Sequence, residues 1–429
     1  MDVLVMNKNQ LLPVIRDQRK SADQQSMEIP RQALGKVQSL GKSGQVVVVS
    51  GVRRCGKSTL LNAVRKKARH QDYYVNFDDD RLIGFGVEHF QMLYELLVEE
   101  FGEQKCFYFD EIQNVPGWER FVRRLKDQGD QVFITGSNAN LLSRELGTHL
   151  TGRYVPVELF PISFKELVDA HGISPEKALN PTTTLKGKLM NLFRHHLNEG
   201  GFPEYLKNKQ PEYLKSLYES ILYRDIMTRH KLTNERVMKS LVHYIASNIG
   251  KEISFSKMKQ HLGLGSASTV KDYFDYIEST YLAFTINKYD QSVKRQILAP
   301  KKAYMIDLAL AQTIGFRFTD EPGRMLENVV LLELKRRGKQ IFYHQGAREC
   351  DFVIQDGLHI RMAIQVTQNM DQAETRNREL SGLLEALECY RLKEGWILTH
   401  DEQGEESAKL KSGHSVRIHI LPVWKWLLE

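Results

Sequence analysis

The residues best suited to chemistry lie in one glycine-rich run, Gly51-Val-Arg-Arg-Cys-Gly-Lys-Ser-Thr59. Its spacing fits G-x-x-x-x-G-K-[ST], the phosphate-binding loop. Glycines in such a loop let backbone N–H groups point at phosphate oxygens. Lys57 would reach the β- and γ-phosphates of a nucleoside triphosphate, and the Ser58 hydroxyl would bind Mg²⁺. The residues predicted to surround the phosphates are Gly51, Val52, Arg53, Arg54, Cys55, Gly56, Lys57, Ser58 and Thr59.

A second candidate is an apolar run that ends in two acids, Phe107-Tyr-Phe-Asp110-Glu111. Asp110 would bind the same Mg²⁺ as Ser58, in the manner of a Walker B aspartate. Glu111 would orient and polarise the attacking water. The alternative interpretation is two acids that begin an exposed loop, and the phosphate loop earlier in the chain argues against it.

The residues on either side of the loop have the composition of a β-strand and an α-helix, the two elements that must position it. A β-branched run at 46–50 precedes the loop, and apolar residues at helical spacing follow it at 58–65. This strand–loop–helix order favours a phosphate loop over a chance Gly-Lys turn. Further predicted strands at 73–77, 106–109 and 131–135 each lead into polar residues. Since ligands bind at the carboxyl ends of parallel strands, we predict an α/β parallel sheet with the site at that edge.

The composition is that of a multidomain globular protein. A chain of 429 residues should hold two to four domains. No apolar stretch approaches the ~18–20 residues that span a bilayer, and the four cysteines are isolated from one another. We therefore predict a cytoplasmic location, free thiols and no membrane partner. The net charge of +7 permits contact with nucleic acid but does not establish it.

The chain resembles the AAA-type ATPases, in particular a bacterial and archaeal group whose ATPase domain precedes a carboxy-terminal domain of unknown function. The resemblance covers most of the chain from about residue 30 onward. Besides the phosphate loop, the matching runs are Phe109-Asp-Glu-Ile-Gln113, Ile134-Thr-Gly-Ser-Asn138, Thr151-Gly-Arg153, Gly200-Gly-Phe-Pro-Glu204 and Tyr223-Arg-Asp225. The resemblance implies ATP and Mg²⁺ as cofactors; no guanine-reading Asn-Lys-x-Asp motif is present.

The resemblance also implies roles for residues outside the two motifs. Asn138 would be the polar sensor that hydrogen-bonds the γ-phosphate or the attacking water. Arg153 would be an arginine finger that reaches a neighbouring subunit, and Arg144 is the alternative finger. Either arginine could instead form a surface ion pair. A homo-oligomer is implied as well, with a hexameric ring as one form.

Five segments are predicted along the chain. They are an N-terminal segment (1–30), an AAA-type P-loop ATPase domain (31–180), a helical lid or connector (181–250), a winged-helix-like domain (251–318) and an α/β restriction-endonuclease-like domain (319–429). The winged-helix-like domain is predicted from a helix, a glycine-containing turn and an amphipathic helix in that order. The start of that second helix carries hydroxyls and a lysine suited to phosphate. Three acids that would repel DNA follow: Asp272, Asp275 and Glu278. DNA contact and protein contact both remain open.

The last segment resembles the restriction-endonuclease-like fold that closes the family. In active members a Glu, an Asp and a strand-borne Glu-x-Lys hold a metal and activate water. By position Glu327 and Asp351 are present, but Gln365 stands for the second carboxylate and Thr367 for the lysine. These replacements remove a negative charge from a hard-cation site and a positive charge from the reacting centre. We therefore predict a catalytically degenerate nuclease site.

Together these observations predict a Mg²⁺-dependent ATPase that couples ATP binding and hydrolysis to remodelling or translocation of nucleic acid, with DNA as the expected form. One alternative is an ATP-controlled switch that docks a protein partner without DNA. A second alternative is an ATP-regulated nuclease with an unusual site.

Overall fold

The computed structural model describes residues 6–67, 72–138, 150–315 and 321–429. Two compact units are formed: Met1–Phe160 with Ser279–Tyr281, and Pro161–Glu278 with Leu282–Glu429. The first unit thus ends before the predicted boundary at residue 180 and includes the predicted N-terminal segment. Among the described residues, no helix is both long and apolar enough to cross a membrane.

The first unit alternates helices and strands. Its helices are α1 (Lys8–Gln24), α2 (Ala33–Gly41), α3 (Lys57–Lys67), α4 (Phe90–Phe101) and α5 (Trp118–Asp127). Its strands are β1 (Val46–Ser50), β2 (Tyr73–Asn76), β3 (Cys106–Asp110), β4 (Gln131–Gly136) and β5 (Tyr154–Glu158). They form a parallel sheet in the order β2-β3-β4-β1-β5. The predicted parallel α/β fold of a P-loop NTPase is confirmed.

The sheet of the first unit is buried because helices cover it. The four valines of β1 are at most 1% exposed, as expected of a strand buried on both faces. Helix α1 packs against the edge strand β2. There the Gln18 side chain donates to Asn76 O and accepts from Asn76 N, both at 2.9 Å. Those bonds satisfy backbone groups that an edge strand leaves unpaired.

The second unit begins with helices. These are α6 (Phe164–Ala170), α7 (Pro175–Leu179), α8 (Thr183–Glu199), α9 (Pro203–Asn208), α10 (Pro211–Ser220), a π-helical stretch (Ile221–Thr228) and α11 (Glu235–Ser247). The predicted helix–turn–helix segment then forms β6 (Glu252–Ile253), α12 (Phe255–His261), α13 (Ala267–Ser279), β7 (Ala283–Lys288), α14 (Val293–Leu298) and β8 (Lys301–Met305). Two helices joined by a glycine-containing turn are therefore followed by an antiparallel pair, β7 and β8.

The remaining elements complete a mixed α/β layer. The helices are α15 (Leu308–Ile314), α16 (Pro322–Arg336), α17 (Ala373–Tyr390) and α18 (Val423–Trp426). The strands are β9 (Gln340–Gln345), β10 (Glu349–Asp356), β11 (His359–Val366), β12 (Glu394–Thr399), β13 (Gly404–Lys409) and β14 (Ser415–Pro422). One sheet runs β13-β14-β12-β11-β10-β9-β7-β8-β6. It continues across the predicted boundary at 318 because β7 pairs in parallel with β9.

Helix α17 packs closely on β10 at Gly382. A Cβ at this position would lie 2.0 Å from Glu349 O, a backbone atom that cannot move aside without disturbing the strand. We expect Gly382→Ala to lower the unfolding free energy by about 1–3 kcal/mol through overpacking. The measurement is the denaturant midpoint of the purified variant followed by circular dichroism.

The control is Gly187→Ala in α8, where a Cβ would meet no atom within 4 Å. That substitution should stabilise the helix, by up to ~1 kcal/mol. Equal midpoints for the two variants would contradict the close approach of α17 to β10.

Candidate nucleotide site and a charged cavity

The predicted phosphate loop joins β1 to α3 and needs glycine at two positions. At Gly51 a Cβ would lie 2.1 Å from Leu159 O. Gly56 has a φ of 102°, in a region that other residues rarely adopt. The chain therefore turns directly from the strand end at Ser50 to the helix start at Lys57.

Lys57 is buried, and its ammonium lies inside the turn. Its Nζ donates to Gly51 O at 3.1 Å and to Val52 O at 3.2 Å. It lies 3.2 Å from Glu111 Oε1. Burial acts to lower the pKa of Lys57, but the charge of Glu111, its hydrogen bond to the ammonium and the other neighbouring acidic groups together raise the pKa. The lysine is thus held as a cation at the place where the sequence predicts phosphate.

The two acids after β3 have different environments. Asp110 is 1% exposed, and burial together with the neighbouring Glu111 raises its pKa. Its carboxylate is hydrogen-bonded to Ser58, to Thr135 and, at 3.3 Å, to the Tyr74 hydroxyl. For Glu111, burial acts to raise the pKa, but the charge of Lys57 and a hydrogen bond from Gln113 lower it to about 2. Glu111 is therefore a carboxylate at neutral pH.

Thr135 joins the two acids and was not among the predicted site residues. Its hydroxyl donates to Asp110 Oδ1 and accepts from the backbone N–H of Glu111 at 2.9 Å. This bond helps hold Glu111 in a left-handed conformation, with φ 50° and ψ 40°. In the sequence, the signal is a hydroxyl near the carboxyl end of the next predicted strand. Its partner depends on the parallel pairing of β3 with β4.

Other predicted loop residues contact protein groups around this cluster. Val52 and Cys55 are buried, and the Cys55 thiol donates to Leu159 O at 3.4 Å. Arg53 lies 3.7 Å from Asp78 Oδ2. The Thr59 hydroxyl accepts from Gln25 at 3.0 Å. Arg54 has a φ of 65°, which helps form the tight turn of the loop.

The structure separates the two predicted residues that follow β4. Asn138 is buried directly after the strand, with its amide Nδ2 3.5 Å from Ser279 Oγ. Arg153 precedes β5 and pairs with Asp127 at 3.6 Å. Since Tyr154 pairs with Val46, Arg153 lies at the amino end of the parallel strands, opposite the loop. The alternative finger, Arg144, lies outside the described residues.

The residues present fit a Mg²⁺–nucleotide. The ammonium of Lys57, the hydroxyl of Ser58 and the carboxylates of Asp110 and Glu111 converge at the carboxyl ends of β1 and β3. Backbone N–H groups and a lysine suit phosphate, whereas hydroxyl and carboxylate oxygens suit Mg²⁺.

A cavity of about 660 Å³ in the second unit contains the predicted degenerate nuclease site. Glu327 on α16 and Asp351 on β10 both line it, with Gln365 and Thr367 beside them. Lys302, from β8, is 1% exposed and lies among the acids. Its Nζ is 3.1 Å from Glu327, 3.0 Å from Asp351 and 2.6 Å from Glu349.

A further carboxylate, that of Glu379, also reaches the cavity from another element. Gln365 donates to Glu379 Oε2 of α17 at 2.5 Å and accepts from Asp351 N at 3.2 Å. Thr367 donates to Asn369 O at 3.2 Å. A lysine and an extra carboxylate are therefore present, although neither stands in the expected strand. Matching by position within one strand could not find them, because they come from β8 and α17.

The acids of this cavity interact with one another and with Lys302. Burial and the neighbouring Asp351 raise the pKa of Glu327 to about 7, against the opposing effect of Lys302. Within the described ranges, no group of three or more His, Cys, Asp or Glu side chains is arranged to hold a metal ion. The Lys302 ammonium lies between the carboxylates, where a cation compensates their charge.

Three basic residues of the second unit, Lys302, Arg336 and Arg337, bond to groups within that unit. Lys302 is buried, as described above. Arg337 pairs with Glu333 at 2.8 Å and its guanidinium lies 4.3 Å from the centre of the Trp426 ring. Arg336 donates to Pro161 O at 3.1 Å. Side-chain packing and hydrogen bonds within the second unit therefore engage these three residues.

We expect Thr135→Val to weaken binding of Mg²⁺–ATP by about 5–100-fold. The substitution keeps the shape of the side chain but removes one hydrogen-bond donor to Asp110 and the hydroxyl that accepts from the N–H of Glu111. The measurement is calorimetric titration with ATP and Mg²⁺. Thr313→Val, which removes a hydroxyl bonded to Ala309 O in α15, is the matched control. Equal affinities for both variants would contradict the role of Thr135.

Comparison with known families and proteins agrees with this geometry. A family model described as an AAA domain matches residues 43–168, and one described as a domain of unknown function, DUF8612, matches residues 190–320. An uncharacterized protein of Methanocaldococcus jannaschii is 32% identical over 400 residues, covering 90% of this chain and 88% of that protein. An uncharacterized protein of Haemophilus influenzae is 30% identical over 349 residues, covering 77% of this chain and 85% of that protein.

Solved structures are similar only at a low level. The RuvB Holliday junction branch migration motor of Thermotoga maritima has a TM-score of 0.31 and 15% identity, covering 61% of this chain and 92% of that chain. Drosophila ORC bound to AT-rich DNA and Cdc6 has a TM-score of 0.21 and 12% identity, covering 71% of this chain and 93% of that chain. Similarity at this level supports no conclusion about substrates. On its identity to the two relatives and its AAA domain, the chain belongs to their family of AAA-type P-loop ATPases.

Proposed function

We propose that this chain is a Mg²⁺-dependent ATPase that couples ATP binding and hydrolysis to movement of its second unit on nucleic acid, with DNA as the expected form. The observation that carries the proposal is the convergence of Lys57, Ser58, Asp110 and Glu111 at one edge of the parallel sheet. An ammonium, a hydroxyl and two acids at that edge are the groups that phosphoryl transfer to water requires.

Each residue of this group has a chemical task that its environment supports. Lys57 remains charged and compensates the negative charge of the phosphates. Mg²⁺, when bound, would neutralise further charge on the phosphate oxygens. The Glu111 carboxylate, with its pKa of about 2, is free of a proton at neutral pH and can accept a hydrogen bond from the attacking water.

The contact with DNA is proposed for α13 and the antiparallel pair that follows it. Lys271 on α13 and Lys294 on α14, the short helix between the two strands of that pair, are exposed. Of the three acids expected to repel phosphate, Glu278 points inward, where it accepts from the Thr285 N–H and hydroxyl. Only Asp272 and Asp275 stay exposed on that helix, which weakens the objection to phosphate contact.

The proposal includes a homo-oligomer. Because Arg153 lies at the amino end of β5, opposite the phosphate loop, it can act as an arginine finger only from a neighbouring copy. A ring of copies, hexameric in the form that the family resemblance implies, would place a finger at each subunit boundary.

We expect Glu111→Gln to bind ATP but to lower turnover by about 10²–10⁴-fold, since an amide cannot accept a proton from water. ATP hydrolysis would be measured alone and with single-stranded, duplex and four-way-junction DNA, at low salt and at about 0.2 M salt. Stimulation of the wild type by one DNA form, weakened by salt, would support coupling to that DNA.

Glu103→Gln is the control because this glutamate is exposed on the same unit, with its side chain 77% accessible. It should hydrolyse ATP at the wild-type rate. Wild-type turnover that ignores every DNA would contradict the coupling and favour a switch that docks a protein partner.

A nuclease is a second candidate function, and one observation favours it. Lys302 and Glu379 supply a lysine and a carboxylate beside Asp351, Glu327 and Gln365, where the sequence pattern lacked both. A cavity lined with charged side chains is thus present for contact with a phosphodiester. Among the described residues, however, the acids are not arranged to hold a metal ion.

For this candidate we expect plasmid nicking in Mg²⁺ or Mn²⁺ that Asp351→Ala abolishes and Lys302→Met lowers by about 10²-fold or more. The assay is conversion of supercoiled DNA to open circles, with Glu111→Gln as the matched variant altered only in the first unit. Nicking that survives Asp351→Ala, or none in the wild type, would remove the nuclease from consideration.

A further inference from the structure

Three residues at the end of α13 belong to the compact unit of the nucleotide site. Ser279, Thr280 and Tyr281 cluster with Met1–Phe160, while the residues on both sides of them belong to the second unit. All three are buried, with exposures of 1%, 1% and 4%. Ser279 is bonded to Asn138, two residues beyond the end of β4, and Tyr281 is bonded to Ser50, the last residue of β1.

Tyr281 is anchored at the base of the phosphate loop. Its hydroxyl donates to Ser50 Oγ at 2.7 Å, and Ser50 is the last residue of β1, directly before Gly51. Tyr281 also has a φ of 62°, which is unfavourable for a residue with a Cβ. Such a conformation persists when the surrounding contacts fix it. The ring and its hydroxyl are therefore held against the strand end.

Ser279 contacts the predicted sensor. Asn138 Nδ2 donates to Ser279 Oγ at 3.5 Å, the long end of the range for a hydrogen bond. A bond of this length to a neutral hydroxyl is weak. A phosphate oxygen carries charge and would form a stronger bond with the same amide. The Asn138 amide can therefore exchange Ser279 for the terminal phosphate at little cost.

We propose that Ser279 and Tyr281 are positioning residues of the nucleotide site, through which the state of the nucleotide is passed to α13. Tyr281 fixes Ser50 below the loop whichever nucleotide is bound. Ser279 competes with the γ-phosphate for Asn138, so ATP breaks this one bond whereas ADP leaves it in place. Ser279 is the last residue of α13. This inference rests on the proposed function, and it specifies how the same site controls the DNA-contacting helix.

The two residues predict different effects on nucleotide affinity. Ser279→Ala removes a competitor for Asn138 and should tighten ATP by about 2–10-fold without changing ADP. Tyr281→Phe removes only the hydroxyl and should weaken ATP and ADP equally, by about 2–10-fold. The measurement is fluorescence titration of labelled ATP and ADP, with all variants made in the Glu111→Gln background to prevent turnover.

Tyr73→Phe is the matched control. Tyr73 is buried in the same unit and its hydroxyl bonds to Gly102 O and Gln104 N, but it lies at the amino end of β2. It should leave both affinities unchanged. Hydrogen exchange in peptides covering 267–285 gives a second readout. Exchange should be faster with ATP than with ADP, and Ser279→Ala should remove that difference.

The possible failures are distinguishable. A protein with intact Ser279 that does not bind ATP would overturn the proposed function itself. A protein that binds ATP, but whose ATP-to-ADP affinity ratio is unchanged by Ser279→Ala, would overturn this inference alone. An unequal loss of ATP and ADP affinity in Tyr281→Phe would contradict the role assigned to Tyr281.

Discussion

The need to balance buried charge organises the nucleotide site. Lys57 is 4% exposed, and an ammonium buried to this degree is stable only beside compensating charge and hydrogen-bond acceptors. Glu111 and the loop carbonyls supply both. Glu111 in turn depends on Thr135, which orients its backbone, and on β3 lying parallel to β4. The loop, the acids and the sheet register therefore support one another.

The same constraint appears in the second unit with different elements. Lys302 is more deeply buried than Lys57 and has three carboxylates within 3.1 Å. Its strand, β8, joins the strands of the last segment in one sheet, and this brings the lysine to Asp351. Strand β11 and the residue after it lack the carboxylate and the lysine of the nuclease pattern. A lysine from β8 and a carboxylate from α17 lie beside the same residues instead. Ion pairs between residues of different elements, rather than positions in one motif, describe what this cavity contains.

Hydroxyl groups connect the charged residues of the nucleotide site to the rest of the first unit. Thr135 joins the two acids, and Tyr281 joins the base of the loop to the end of α13. Neither side chain carries a charge, and each hydroxyl forms a hydrogen bond with a residue that is distant in the sequence. Such residues fix geometry at a site whose chemistry is performed by others. Their contribution lies in keeping the strand ends in register with the loop.

The sequence by itself determined the parallel α/β fold of the first unit and the residues of the phosphate loop. Valine-rich β1, its glycines and the apolar strand before Asp110 carry that information locally, since strand periodicity and loop spacing involve only neighbouring residues. The tertiary structure alone decided that Thr135 bonds to Asp110 and that Arg153 lies opposite the loop. It also decided that Lys302 pairs with the acids of the cavity in the second unit and that Glu379 lines that cavity. The physical reason is that these contacts join residues of different strands and helices. Their pairing depends on strand order and register, which no local pattern specifies.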